Sequence, residues 1–158
     1  MSFRKIVFID IDGVLTDSSC SYFTDNYSYS VEKLELLKAF LSSANAVVVW
    51  STNWVAHTDG IWMLKDKEIH SLLPRLNEEL HDFVIGAIPP KHGDSVSKYD
   101  RILEWISKNT DATDDFMIVD DQGNQGLEQF GVRFVQTTFD KGLTESTIDE
   151  MQSYFRKL

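Results

Sequence analysis

Near the front of the sequence an apolar run, Ile6-Val7-Phe8-Ile9, leads directly into Asp10-Ile11-Asp12-Gly13-Val14. Side chains alternate along a strand, so Asp10 and Asp12 leave its tip on one side, and Gly13 lets the chain turn sharply beyond them. Two carboxylates held that close repel, which raises the pKa of one unless a proton or a cation sits between them. Magnesium suits that position, because it is a hard cation that prefers carboxylate and phosphate oxygens and takes few ligands from protein. The chemistry this favours is phosphoryl transfer, with one carboxylate as a metal-held nucleophile and the other as a proton carrier. The plainer reading is an acidic turn after a strand, where Asp and Gly are common for local reasons.

The elements that would hold this pair alternate between strand and helix. Ser30 can cap a helix over about residues 31–43, with Leu34, Leu37 and Leu41 on one face. Ala46-Val47-Val48-Val49-Trp50 is apolar without alternation, as a strand covered on both faces reads, and Ser51-Thr52-Asn53 leaves it. Residues 54–82 read as mainly helical, broken at Gly60 and Pro74, before a short strand at Phe83-Val84-Ile85. A loop with Pro89-Pro90, Lys91 and Gly93 leads to a helix over about residues 97–108 that turns Ile102, Leu103 and Ile106 inward. Phe116-Met117-Ile118-Val119 is a further buried strand, ending in Asp120-Asp121. Gly131 closes a short helix, residues 132–135 make a fifth strand, and Thr144 can cap a last helix carrying Ile148, Met151 and Phe155.

Such alternation implies right-handed crossovers and an α/β fold, a doubly wound parallel sheet of about five strands with helices on both faces. Sheets of that kind bind ligands outside the carboxyl ends of their strands. Asp10 and Asp12, Ser51 and Thr52, and Asp120 and Asp121 each follow the carboxyl end of an apolar strand.

Fifteen Lys and Arg against 25 Asp and Glu give the 158-residue chain a formal charge of −10. That excess works against extended contact with a nucleic-acid backbone, although it is compatible with a local basic patch. With 42% apolar residues the chain can bury one ordinary core, so residues 1–158 read as a single domain. No apolar stretch approaches the roughly 20 residues of a membrane-spanning helix. Cys20 has no cysteine partner, and the amino terminus does not read as a signal peptide. The expectation is a cytoplasmic protein that touches no membrane. His57, His70, His81 and His92 lack zinc-site spacing, and nothing in the sequence supplies Cys20 with a base.

Taken in order, these residues resemble the haloacid dehalogenase (HAD) superfamily, whose phosphatases place Asp-x-Asp-Gly-Val after the first strand. A hydroxyl residue after the next shared strand is Thr52 or Ser51, a Lys or Arg near a helix start is Lys98, and an acidic pair is Asp120-Asp121. More narrowly, residues 49–54, the Gly86-Ala87-Ile88-Pro89 turn, residues 98–105 and Gly142-Leu143-Thr144 are similar to the small phosphatase-like domains associated with RNA-repair proteins.

The resemblance implies a Rossmann-like hydrolase that forms an aspartyl-phosphate on Asp10. Asp12 would first protonate the leaving oxygen and then take a proton from the attacking water. It implies Mg2+ held by Asp10, the backbone carbonyl of Asp12, and Asp120 or Asp121. Thr52 would donate to a phosphoryl oxygen, with Ser51 its competitor and Asn53 a further substrate contact. Lys98 would neutralise the phosphate and Asp10, with Lys91 as the rival cation. Structural alternatives stand beside these roles: Thr52 could cap a following helix, and Asp120-Asp121 could cap one starting near Asn124. Tyr22, Phe23, Tyr27 and Tyr29 fall where the family places a flap, and they either stack on a base or sugar or pack the flap down. Trp54 and Trp62 read as helix packing.

Members of the superfamily often carry a cap domain after the first motif or between the second and third. Here residues 16–45 and 55–97 are used up by flap, helices, one strand and a loop, so no large cap is expected. An open site suits a phosphate at the end of a large substrate, or completion by another subunit. The leading expectation is a magnesium-dependent phosphatase of a phosphorylated small molecule or nucleotide. The alternatives are a polynucleotide-end phosphatase acting on 3′ or 5′ phosphates of an oligonucleotide in nucleic-acid repair, and a noncatalytic HAD-like binding module. Substrate and oligomeric state depend on loop shapes that lie beyond sequence pattern.

Overall fold

The apolar run before Asp10 forms the middle strand of a parallel sheet. The computed structural model describes residues 3–20, 29–52, 55–58, 61–64, 72–88, 96–123 and 125–156. In chain order its elements are β1 (Lys5–Ile9), α1 (Val31–Ala44), β2 (Ala46–Trp50), β3 (Val55–Thr58), β4 (Ile61–Leu64), α2 (Leu72–Glu79) and β5 (Val84–Ala87). Then follow α3 (Lys98–Asn109), β6 (Asp115–Asp120), a 3₁₀ segment (Leu127–Arg133), β7 (Phe134–Gln136) and α4 (Glu145–Arg156). The sheet order is β5-β2-β1-β6-β7 with every pairing parallel, and β3 and β4 form a separate antiparallel pair. This is the α/β doubly wound arrangement expected from the alternation, and no large cap is present among the described residues.

Strands covered on both faces need no polar alternation, and β1 shows it: Ile6, Val7, Phe8 and Ile9 are all fully buried. Val7 and Ile9 join the core beneath α1, α2 and α4, whereas Ile6 and Phe8 join the one beneath α3 and the 3₁₀ segment. Phe8 meets Trp105 and Phe116 edge-on at centroid distances of 5.4 and 6.0 Å. Truncating it to alanine would cost about 3–5 kcal/mol. Two caps fall where the sequence puts them, with Ser30 accepting from Lys33 N at 3.3 Å and Thr144 from Thr147 N at 3.3 Å, and Ser97 caps α3 by accepting from Asp100 N at 3.2 Å.

Three expectations need correction. Residues 55–58 and 61–64 are not helical, since β3 and β4 pair from Val55↔Leu64 to Thr58↔Ile61. The two positions between that last pair are Asp59 and Gly60, a dipeptide that favours two-residue hairpin connections, and Val55, Thr58 and Ile61 are β-branched. Pro74 does not break a helix either; it lies in the first turn of α2, where a missing N–H costs no helical hydrogen bond. Leu103 is 39% exposed rather than inward, because Trp105 occupies the face of α3 turned to the sheet. Among the described residues no helix is long and apolar enough to cross a membrane.

Candidate functional site

The sheet's ladder continues one residue beyond β1 and β2. Asp10 N donates to Val119 O at 3.1 Å, and Ser51 N donates to Ile9 O at 2.9 Å. Ile9 pairs with both Trp50 and Val119, so one step on Asp10 stands between Ser51 and Asp120. Alternation then fixes the face. Ile6 and Phe8, Val47 and Val49, and Phe116 and Ile118 all pack under α3, so Asp10, Ser51 and Asp120 emerge toward α3 in a row. Thr52, also buried, comes one residue later, beyond the end of β2.

The start of α3 delivers a cation to that row. Ser97 caps the helix, and Lys98, only 3% exposed, donates from Nζ to Asp120 Oδ2 at 2.6 Å and reaches Asp10 Oδ2 at 3.5 Å. The second oxygens are held by backbone: Asp10 Oδ1 accepts from Ile11 N at 2.8 Å, and Asp120 Oδ1 from Gln122 N at 2.9 Å. Asp121 completes the group, lying against Gly13, whose φ of +72° and lack of a side chain leave room for its carboxylate. Oxygens of Asp10, Asp120 and Asp121 fall within 4.8 Å of one another, and the half-buried Asp12 is not in that trio.

Electrostatics follow from packing three acids around one lysine. Burial pushes the Asp10 carboxyl up, Lys98 pulls it back, and the charges of Asp120 and Asp12 add to the rise, leaving it at about 7. Burial and then the neighbouring Asp120 raise Asp121 to about 6. Burial alone would depress Lys98, but the charges of Asp10 and Asp120 outweigh it and raise its pKa. Two buried polar atoms of this group, Asp121 Oδ1 and Ser51 Oγ, have no hydrogen-bond partner among the described residues. Three converging carboxylates, two of them with raised pKa values in Asp10 and Asp121, and an unmet oxygen fit a hard divalent cation such as Mg2+.

The structure thus gathers Asp10, Ser51, Lys98, Asp120 and Asp121, while Thr52 adjoins them. Asn53, Lys91, Asn124, Trp54 and the aromatics Tyr22, Phe23 and Tyr27 lie outside the described residues. Tyr29 packs against the core, and Trp62 lies in β4 rather than in a helix. Sequence reasoning passed over Thr16 and Thr137, both buried beside the Asp12 turn. A signal existed for Thr137, which follows β7 as Asp10 follows β1.

A buried lysine between two carboxylates, beside an unpartnered hydroxyl at the carboxyl edge of a parallel sheet, is a setting for handling a phosphate. Residues 6–148 match the family described as the HAD domain in Swiss Army Knife RNA repair proteins. The chain belongs to that family. No curated protein matches this HAD domain. A solved crystal structure overlays on 99% of it, and on 82% of its own chain, at a TM-score of 0.46 with 11% identical residues. In this HAD domain, then, the acidic cluster and its lysine occupy the ligand-binding edge of the fold.

Proposed function

We propose that this HAD domain is a divalent-metal-dependent phosphomonoesterase that works through an aspartyl-phosphate on Asp10. The observation that carries the reading is the Lys98 ammonium, 2.6 Å from Asp120 and 3.5 Å from Asp10, beside the unmet oxygen of Asp121. Asp10 is the nucleophile: one Oδ forms a bond to phosphorus in line with the leaving oxygen, whose bond to phosphorus breaks. Asp12 gives its proton to that oxygen, then takes one from the water that cleaves the acyl phosphate. Ser51 donates to a phosphoryl oxygen, since its hydroxyl stands in the row with Asp10 and has no other partner. Lys98 offsets charge on both nucleophile and phosphate; losing one such donor costs about 10²–10³-fold in rate. Asp10, Asp120 and Asp121 would hold the metal, Mg2+ being the natural choice, which supplies positive charge against that of nucleophile and phosphate.

The family description favours a phosphate on a nucleotide or at the end of an RNA strand as substrate. The net charge of −10 limits contact to the terminal few nucleotides rather than a long backbone track. The test is phosphate release from sugar phosphates, nucleotides and 3′- or 5′-phosphorylated oligonucleotides, with and without Mg2+, for the native protein and Asp10→Asn. The expected result is Mg2+-dependent release that Asp10→Asn abolishes, with the highest kcat/KM on nucleotide or oligonucleotide ends. Release that persists in Asp10→Asn rules out the covalent route, and no release from any substrate leaves a noncatalytic binding module.

A further inference from the structure

We propose that Thr137 is a positioning residue for proton transfer by Asp12, its buried hydroxyl tying the Gly13 carbonyl to the end of β7 and so fixing the turn that carries Asp12. The inference rests on the reading of Asp10 and Asp12 given above.

Thr137 is 3% exposed, and it holds both sides of the acidic cluster. Its backbone N donates to Asp120 O at 3.0 Å, and its Oγ1 donates to Gly13 O, 124 positions away in the chain. On the other side of the same glycine, Gly13 N donates to Oγ1 of the fully buried Thr16 at 2.9 Å. A trans peptide is planar, so fixing Gly13 N–H also fixes the direction of the Asp12 carbonyl, and fixing Gly13 C=O sets the next peptide. Both planes beside Gly13 are therefore pinned by threonine hydroxyls, and the Cα of Asp12 is attached to the first of them.

The rest of residues 137–143 closes on the same turn. Leu143 N donates to Val14 O at 2.8 Å, and Ser18 N donates to Asp140 O at 2.9 Å. Gly142, at φ +59°, lies so close to the carbonyls of Val14 and Thr16 that a side chain there would strike both. Buried Lys33 adds a brace, donating from Nζ to Leu143 O at 2.8 Å with Asp17 Oδ2 at 3.8 Å. Backbone bonds alone would close a loop; two buried hydroxyls are spent here on the residue next to Asp12. A proton donor displaced by about 1 Å can lose 10²-fold in rate, which gives such bracing a catalytic consequence.

Proton transfer to the leaving oxygen matters when that oxygen is strongly basic and little when it is not. The experiment compares kcat/KM for an alkyl phosphate, glycerol 2-phosphate, with that for p-nitrophenyl phosphate, whose phenolate leaves unaided. We expect Thr137→Val to lower the first by about 10²-fold and the second by less than about fivefold, within the range general acids contribute. Thr137→Ser, which keeps the donor, should restore both to within about threefold of the native protein. Gly142→Ala, which pushes on the turn from the other side, should show the same leaving-group bias and serves if Thr137→Val does not fold. Equal losses on both esters, or Thr137→Ser as impaired as Thr137→Val, overturn the positioning role while leaving the phosphatase reading intact. A native protein that releases phosphate neither from these esters nor from any nucleotide or oligonucleotide end, or Asp10→Asn active on either ester, removes that reading and this inference with it.

Discussion

β6 carries a buried aspartate at each end, and the fold treats them in opposite ways. At the amino end Asp115 accepts from Arg133 at 3.1 Å, Tyr154 Oη at 3.0 Å and Phe116 N at 2.8 Å. The Arg133 guanidinium lies 4.8 Å from the centroid of the Phe116 ring, and next door Asp114 takes two bonds from Arg4, at 2.7 and 3.2 Å. Each carboxylate there has an arginine of its own, whose planar fork suits a permanent pair. At the carboxyl end Asp10 and Asp120 share one lysine, Asp121 Oδ1 has no hydrogen bond, and the Ser51 hydroxyl is likewise unmet. At the amino edge each of these carboxylates has donors within the chain, and the one buried atom there without a hydrogen bond among the described residues, Arg133 Nε, belongs to the cation. The carboxyl edge leaves a demand for positive charge and hydrogen bonds that the described residues do not meet, which is what a site for a cation and a phosphate requires.

Matched substitutions at the two edges should separate these roles most sharply. Lys98→Met should reduce kcat/KM for phosphate release by about 10²-fold or more, whereas Arg133→Met should keep it within about twofold in the folded protein. The thermal midpoint should respond to Arg133→Met, which strips one donor from Asp115 at a cost of about 1–3 kcal/mol. A comparable activity loss from both variants would erase the contrast. Metal is the next lever: Mg2+ at about 100 times its Kd should raise Tm by roughly 5 °C or more. Asp121→Asn should abolish that rise and Asp114→Asn should not, as read by thermal denaturation with and without EDTA.

The two edges were not equally legible. The strands announced themselves as apolar runs, and the rule that ligands gather at carboxyl ends was enough to bring Asp10, Asp120 and Asp121 together. Lys98 is readable because it lies near a helix start, where the family resemblance expects a cation. Placing Ser51 next to Asp10 needs the register of β1 and β2, which an apolar pattern does not specify. The β3–β4 pair is hard to read from sequence because Val, His, Trp and Met suit either period over so short a run, and a glycine such as Gly60 marks a helix break as readily as a turn. Thr16 and Thr137 reach the Asp12 turn only through tertiary contact, 124 residues apart in the case of Thr137 and Gly13.

Smaller effects concern pH. Asp10 is raised to about 7, so the fold holds a proton there more tightly than the unfolded chain does. Its contribution therefore turns unfavourable as pH climbs from about 4 to about 7. Without metal, Asp10→Asn should have a Tm a few degrees above the native protein at pH 8, with the gap closing below pH 4; differential scanning calorimetry across that window would show it. Asp114 behaves with the opposite sign, because hydrogen bonds from Arg4 hold its carboxyl below the usual range. Its stabilisation is present above about pH 4 and is lost as pH falls through the lowered value. Arg4→Met should thus lower Tm by a degree or two at pH 7 and by nothing measurable near pH 2, with activity unchanged.

The central claim is that the unsatisfied edge lets Asp10 take up a phosphoryl group. Acid-quenching the protein during turnover of a phosphorylated nucleotide, reducing with borohydride and sequencing the peptides by mass spectrometry reads this directly, because an acyl phosphate is reduced to the alcohol. Homoserine is expected at position 10 in Mg2+ and none in EDTA. Steady phosphate release with no modification at position 10, or modification at another aspartate, would contradict it.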